Sequence, residues 1–484
     1  MKIIFPRPFA IAIDDLGWIK GQNEGEDGYG PYRTGIPRNM TLADYKAVVD
    51  LAKKVGVRLQ GLFIMGEMDR ENFLGNHPTT TYQRGNYDNT ENISDLQIEM
   101  MDYVKSVSTH LEFGLHGVGH EFWPEDGIRR RAEWYNTEDD HPWPEEDIRD
   151  HLDCFVQIMA QYGITQENGH SFPKSFVPCA YSYYWNPNGD YSLGKILGQY
   201  GVKYANTDFR MIPECSPPAG DNSAGFDHKV HVMNRYNYGN LWSAIGKLPD
   251  VPLEDQTTDF IETHWPNLIG MEESDHASVT EMWIEYYRKV QASPDRFCAK
   301  NTSQIHSQWL YKKHIIIEEL EEGKISIDNS NMPSEVYQGF FPSNMVLKLK
   351  LNEGEHVSKA TINGCPIPGY LESEGYALLY LPQLINKKYV FEYELGRSIP
   401  NNIIWHDTTS NLFDIRVGDH EIQLNICAYG EQEYTFLTER KIKDVISNNP
   451  GIEIKNWYQT EGKLVFLASA HDIQGEIGSI EIKF

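Results

Sequence analysis

A chain of 484 residues is longer than one hydrophobic core usually sustains, so two domains are expected. Its 40% apolar and 12% aromatic content is ample for packed cores and excludes a disordered chain. The net charge of -27 excludes nucleic acid and an anionic membrane surface as partners, because both require a basic face.

The six cysteines (Cys154, Cys179, Cys215, Cys298, Cys365, Cys427) contain no C-x-x-C pair and read as buried thiols rather than a disulfide framework. No apolar run approaches the roughly 18–20 residues of a membrane span. Pro6 and Pro8 interrupt the apolar start, which is not a convincing signal peptide, so the chain is expected to be cytoplasmic. Oligomeric state is not readable.

From residue 9 to about 328, short apolar runs alternate with helical patterns. Ala10-Ile11-Ala12-Ile13 is a buried strand. A helix follows at Thr41, with Tyr45, Val48, Val49, Ala52 and Val55 at helical spacing, Thr41 and Asp44 as a capping box, and Gly56 as a stop. Leu62–Met65 is a second strand. Leu96, Met100, Tyr103, Val104 and Val107 form a second helical stripe, and Leu111–Leu115 a third strand. Ile148, Leu152, Phe155, Val156 and Met159 form a third helix. Ser175–Ala180, Val202–Asn206 and Phe260–Thr263 are further strands, and helical patterns follow near Val279–Val290 and Gln304–Leu320.

Strand and helix in repeated alternation predict parallel strands with crossover helices. The expected fold is α/β: a (β/α) barrel of seven or eight strands, complete or distorted, over residues 1–330. A doubly wound open sheet is the alternative. In both, side chains at the carboxyl ends of strands converge on one site. From about residue 335 the period changes to two. Leu347, Leu349 and Leu351 alternate with Lys348 and Lys350, and Ile422, Leu424 and Ile426 alternate with Glu421, Gln423 and Asn425. Such half-buried strands predict an antiparallel β-sandwich over residues 331–484, with the boundary at Asp328–Ser334.

The strand ends carry the chemistry. The first ends in Asp14-Asp15, the third in His116-Gly117-Val118-Gly119-His120, and the sixth in His264. H-x-x-x-H can place two imidazoles on one face of a helical turn. Here Gly117 and Gly119 make a tight loop the better reading, since each would cost about 1 kcal/mol relative to Ala in a helix. Two histidines and an aspartate suit zinc first, or cobalt, nickel, manganese or iron, and an incomplete shell leaves room for water, as in a catalytic site. Successive strand side chains point to opposite faces, so Asp14 and Asp15 are expected to differ in role, one as ligand and one as base. The ion lowers the pKa of its water towards roughly 7 and polarises the scissile carbonyl. His264 is the candidate proton donor to the leaving amine.

These residues resemble the motifs of the polysaccharide deacetylases. The family's T-F-D-D-G is similar to Ala12-Ile13-Asp14-Asp15-Leu16-Gly17, which implies Asp14 as base and Asp15 as metal ligand. H-[S/T]-x-x-H is similar to His116–His120, which implies both histidines as ligands. The last motif's strand-borne histidine resembles His264 in Ile261-Glu262-Thr263-His264. The resemblance covers about residues 9–265 and implies a barrel that removes acetyl groups from amino sugars using one divalent ion. It departs at Gly117, where the family has Ser or Thr. It departs again at Phe176-Val177-Pro178-Cys179-Ala180, where Phe176 stands in place of the Arg that positions the base. Asp208 is a candidate for part of that lost network.

Glu67, in the loop after the second strand, is a candidate substrate contact, as are Trp18 and Trp123 beside the motifs, because aromatic faces stack on sugar rings. Trp185 and Trp265 also lie near strand ends. Two rival readings remain. One is a metal-independent glycoside hydrolase with Glu67 and Asp14 as its carboxylate pair. The other is a non-catalytic carbohydrate-binding protein.

Overall fold

The computed structural model describes residues 3–22, 31–189, 191–217, 222–239, 242–338, 344–385 and 387–484. Two compact units emerge. One comprises Ile11–Val55 and Leu59–Ile284, the other Met1–Ala10, Gly56–Arg58 and Glu285–Phe484.

In the first unit strands and helices alternate: β1 (Arg7–Leu16, whose first residues belong to the second unit), α1 (Leu42–Val55), β2 (Leu59–Ile64), α2 (Asp95–Ser106), β3 (Leu111–Gly117), α3 (Glu145–Gln161), β4 (Ser175–Phe176), α4 (Leu193–Tyr200), β5 (Tyr204–Thr207), β6 (Ser223–Asp227), β7 (Val230–Asn234) and β8 (Phe260–His264). The strands β1-β2-β3-β4-β5-β7 pair in parallel, β6 lies antiparallel on β7, and β8 pairs with β1. The result is a curled parallel sheet. The segment after β7 meets β8 through the parallel bridge Tyr236 with Ile261. Every residue of β2 and β3 is buried, as the continuous apolar runs imply for a sheet covered on both faces. Phe113 of β3 packs on Phe63 of β2 at 4.6 Å and on Phe155 of α3 at 5.9 Å. Each such ring pair adds about 0.5–1.5 kcal/mol beyond the area it buries.

Helix α1 behaves as its sequence predicts. Tyr45, Val48, Val49 and Ala52 are buried, the Thr41 N–H donates to Asp44 Oδ2 at 2.7 Å, and Gly56 leaves the helix at φ 67°. The expected strand Ser175–Ala180 is shorter: only Ser175–Phe176 pairs, and Cys179–Tyr181 forms a 3₁₀ turn with Ala180 and Tyr181 at φ 51° and 64°. Strands β6 and β7 were not anticipated.

The second unit holds several antiparallel sheets. One has eight strands and includes Ile3–Ile4, Val346–Lys350, Tyr376–Tyr380, Glu431–Leu437, Lys463–Ala470 and Ile452–Thr460; others have five and four strands. Ile422, Leu424, Ile426, Ile480 and Ile482 of the four-stranded sheet share a core with Tyr434, Phe436, Leu464 and Phe466 of the eight-stranded one. The helical pattern expected over Gln304–Leu320 ends at His314, and Ile316–Glu321 is a strand, because its Glu-rich run pairs at a sheet edge. Lys348, expected to face solvent, is buried: its ammonium donates to the carbonyls of Gln291, Ser293 and Arg296 at 2.6, 2.7 and 2.6 Å. Cys365, expected to be buried, is exposed. Among the described residues no helix is long and apolar enough to cross a membrane.

Candidate active site

Because the strands run in parallel, their carboxyl ends open together on a cavity of about 440 Å³. Asp14, Asp15, His116, His120 and His264 all line it, together with Tyr181, Arg235 and Glu262.

A β-bulge brings the two aspartates to one side. Ala12 and Ile13 pair with Gln60 and Gly61, then the register slips so that Leu16 faces Phe63. Asp15 sits at the slip with φ 66°. The extra residue re-aims its neighbours, so two successive carboxylates enter one cavity, against the simple alternation of a strand. Gly17 follows at φ 101°, where a Cβ would lie 2.1 Å from the Ile64 carbonyl oxygen, so only glycine fits.

Asp14 is 3% exposed and is held from one direction. Arg235, at 1% exposure just beyond β7, donates from Nη1 to Oδ1 at 2.8 Å and from Nη2 to Oδ2. Burial pushes the Asp14 carboxyl up, but the charges of Arg235 and His116 outweigh it and hold the group below the usual carboxylate value. Phe176, by contrast, is buried in the core and makes no such contact. Nor does Asp208. It binds its neighbour Arg210 at 2.8 and 2.6 Å and lies outside the residues that line the cavity.

The other donors face one another. The His116 ring donates from Nδ1 to the Val177 carbonyl at 2.7 Å, which leaves Nε2 towards Asp15 Oδ1 at 3.4 Å. His264 Nε2 lies 3.9 Å from Asp15 Oδ2. His116, His120 and Cys179 each offer a ligand atom within 4.8 Å of the others. Asp15 Oδ1 and His120 Nδ1 are buried without a hydrogen-bond partner. Buried donors of this kind are what a divalent cation satisfies, and the His116 N–H to a carbonyl is the outer contact that orients a ligating imidazole. The compact group that could hold such an ion is His116, His120 and Cys179, with Asp15 Oδ1 beside it, 3.4 Å from His116 Nε2. Burial pushes His120 down to about 4, so its ring is neutral. Burial would raise Asp15, yet the adjacent His116 imidazole and the charges of His264 and His120 hold it well below the usual carboxylate range.

Glu133 shapes the histidine loop. Fully buried, it accepts from the Val118 N–H at 2.9 Å, the His120 N–H at 3.1 Å and His151 Nδ1 at 2.8 Å. A Cβ on Gly117 would fall 1.9 Å from Glu133 Oε2. Glycine at this position thus has a cause: the carboxylate occupies the space a side chain would need.

The remaining candidates divide. Trp18 lines the cavity, with the Arg33 guanidinium 4.2 Å above its ring. Glu67 does not line it. Its Oε2 accepts from the Ile19 and Lys20 N–H groups at 2.6 and 3.0 Å, and its Oε1 from Arg33 Nε at 2.7 Å, so it ties down the segment that follows β1. Glu67 and the buried Trp123 border a separate cavity of about 250 Å³. The Glu67–Asp14 pair of the glycoside hydrolase reading is therefore not assembled in one cavity. Arg235, Glu133, Tyr181 and Glu262 were not anticipated. Arg235 could have been found, because Val230-His231-Val232-Met233 is an apolar run with a charged residue at its end.

No family model matches the sequence, and no curated protein matches it. One solved structure, described as the crystal structure of Agd3, a novel carbohydrate deacetylase, aligns over 80% of this chain and 65% of that chain, with a TM-score of 0.41 and 10% identity. The chain thus spans just under two thirds of the length of that protein, and what the site does must be read from its own residues.

Proposed function

We propose that this chain is a metal-dependent deacetylase that releases acetate from an acetylated amino sugar or a polysaccharide precursor. One observation carries the reading: a single cavity combines Asp14, clamped by Arg235, with the unpartnered donors of Asp15 and His120, the Nε2 of His116, and His264. Asp15, His116 and His120 would hold the ion, zinc first, and when bound it supplies Lewis acidity for the attacking water and the acyl carbonyl. Asp14 accepts the proton of that water. Arg235 fixes the carboxylate in place and keeps it ionised. His264, across Asp15, gives a proton to the nitrogen as the C–N bond breaks, so acetate and an amine leave.

The test is metal content and acetate release measured together. Wild type is expected to carry about one divalent ion per chain, His116→Ala none, and a chelator is expected to abolish acetate release from acetylated amino sugars. A protein that takes up no zinc, or acetate release indifferent to the chelator, would overturn the reading.

A further inference from the structure

Glu262 is a buried carboxylate that the proposed chemistry leaves unused. It stands two residues before His264 on β8, so strand alternation turns both into the cavity, whereas Thr263 between them points back and bonds the Ala12 carbonyl at 2.8 Å. Glu262 is 1% exposed. Its Oε1 is fixed by the Tyr181 hydroxyl at 2.8 Å and by Asn237 Nδ2 at 3.3 Å. Its Oε2 is buried and accepts no hydrogen bond. The nearest cation, Arg235 Nη2, is 3.9 Å away, beyond hydrogen-bond reach, and is already given to Asp14. A buried carboxylate oxygen without a donor is costly to maintain, and such groups concentrate at sites that receive a ligand.

We infer that Glu262 Oε2 is a specificity contact that accepts a hydrogen bond from a hydroxyl of the substrate, on the same ring that carries the acyl group. This rests on the deacetylase reading above. The donor is neutral, because an ammonium at Oε2 would lie against the Arg235 guanidinium. The donor is on the same ring, because one nitrogen, Arg235 Nη2, bonds Asp14 Oδ2 and lies 3.9 Å from Glu262 Oε2, which keeps the two carboxylates within the span of a single sugar ring. A hydroxyl on a neighbouring sugar would lie farther from the acyl carbon beside Asp14. Tyr181 and Asn237 hold Oε1, so the carboxylate of this cavity-lining residue is fixed before substrate arrives.

The experiment uses the methyl glycoside of N-acetylglucosamine and its 3-deoxy, 4-deoxy and 6-deoxy analogues. Binding is measured by calorimetry in chelator, so that no turnover occurs, and acetate release is measured separately with zinc. Wild type is expected to bind one deoxy analogue about 10- to 100-fold more weakly than the parent, the range for a hydrogen bond to a charged group. Glu262→Gln, which places an amide donor where the acceptor was, is expected to bind the parent as weakly as wild type binds that analogue, and to bind the analogue as wild type does. That equality also reports an intact cavity. If Glu262→Gln discriminates as wild type does while wild type releases acetate, the inference fails and the deacetylase reading stands. If the variant loses parent and analogues alike, Glu262 only supports the cavity and the inference fails. If wild type neither binds these sugars nor deacetylates them, both readings fall together.

Discussion

The family motif suggests that Gly117→Ser would repair the histidine loop; the structure predicts the reverse. A Cβ at 117 would meet Glu133 Oε2 at 1.9 Å, Glu133 Cδ at 2.8 Å and Cys179 Sγ at 3.2 Å. Ordinary contact begins near 3.4 Å, so the carboxylate must retreat by about 1.5 Å, the difference between 3.4 and 1.9 Å. A glutamate tip is normally pliable, but this one is fully buried and bonded to the Val118 and His120 N–H groups and to His151. Retreat breaks at least the two backbone bonds made by Oε2, at 3.2 and 3.1 Å. At about 1.5–3 kcal/mol for each bond to a charged group, the loss is about 3–6 kcal/mol, a large share of a typical folding free energy. Thermal denaturation should show a midpoint lower by about 5–10 °C. Zinc uptake should weaken as well, because the same bonds hold His120 in its left-handed conformation at φ 69°. A Gly117→Ser protein within about 0.5 kcal/mol of wild type that binds zinc normally would refute the reasoning.

Other outcomes follow from the same geometry. Arg235→Met leaves Asp14 buried and unpaired, so stability should fall by about 3–5 kcal/mol in urea denaturation. With Arg235 gone, only the charges of His116 and His264 oppose burial at Asp14, so the acid limb of the rate profile should move to higher pH; an unmoved limb would show that Arg235 does not hold the base. His306 is buried, and burial pushes it down from 6.5 to about 3. Its folded value is depressed, so its neutral form stabilises fully above pH 6.5, and stability is lost as pH falls from 6.5 towards 3. By pH 5 the loss approaches about 2 kcal/mol, and His306→Gln should flatten that slope in denaturation midpoints. Lys348→Met removes the donor shared by three carbonyls and should cost about 2–4 kcal/mol in the same assay. A neutral result would show that other donors satisfy those carbonyls.

Much of this site was legible in the sequence because parallel strands announce their ends. An apolar run that stops at Asp14-Asp15, His116 or His264 needs only the rule that such ends converge. What stayed hidden obeys other physics. Two adjacent carboxylates share a cavity only through a bulge, which periodicity does not reveal. Glu133 lies between elements, in a segment with no period, and its role depends on backbone N–H groups that face it only after folding. Lys348 occupies a polar slot in an alternating strand, and nothing local indicates three carbonyls converging on it. Glu67 looked like a site residue because it follows a strand, yet both its oxygens are committed to the segment after β1.

The clamp on Asp14 also bears on how such sites change over time. In a curled parallel sheet every strand end faces the same mouth, so a guanidinium reaching a given carboxylate can be launched from more than one strand. Here the fourth strand carries Phe176, a core residue, and the guanidinium on Asp14 comes from the segment after β7. Ancestry in sheets of this kind is therefore better traced by which atoms meet at the mouth than by the order in which the chain delivers them.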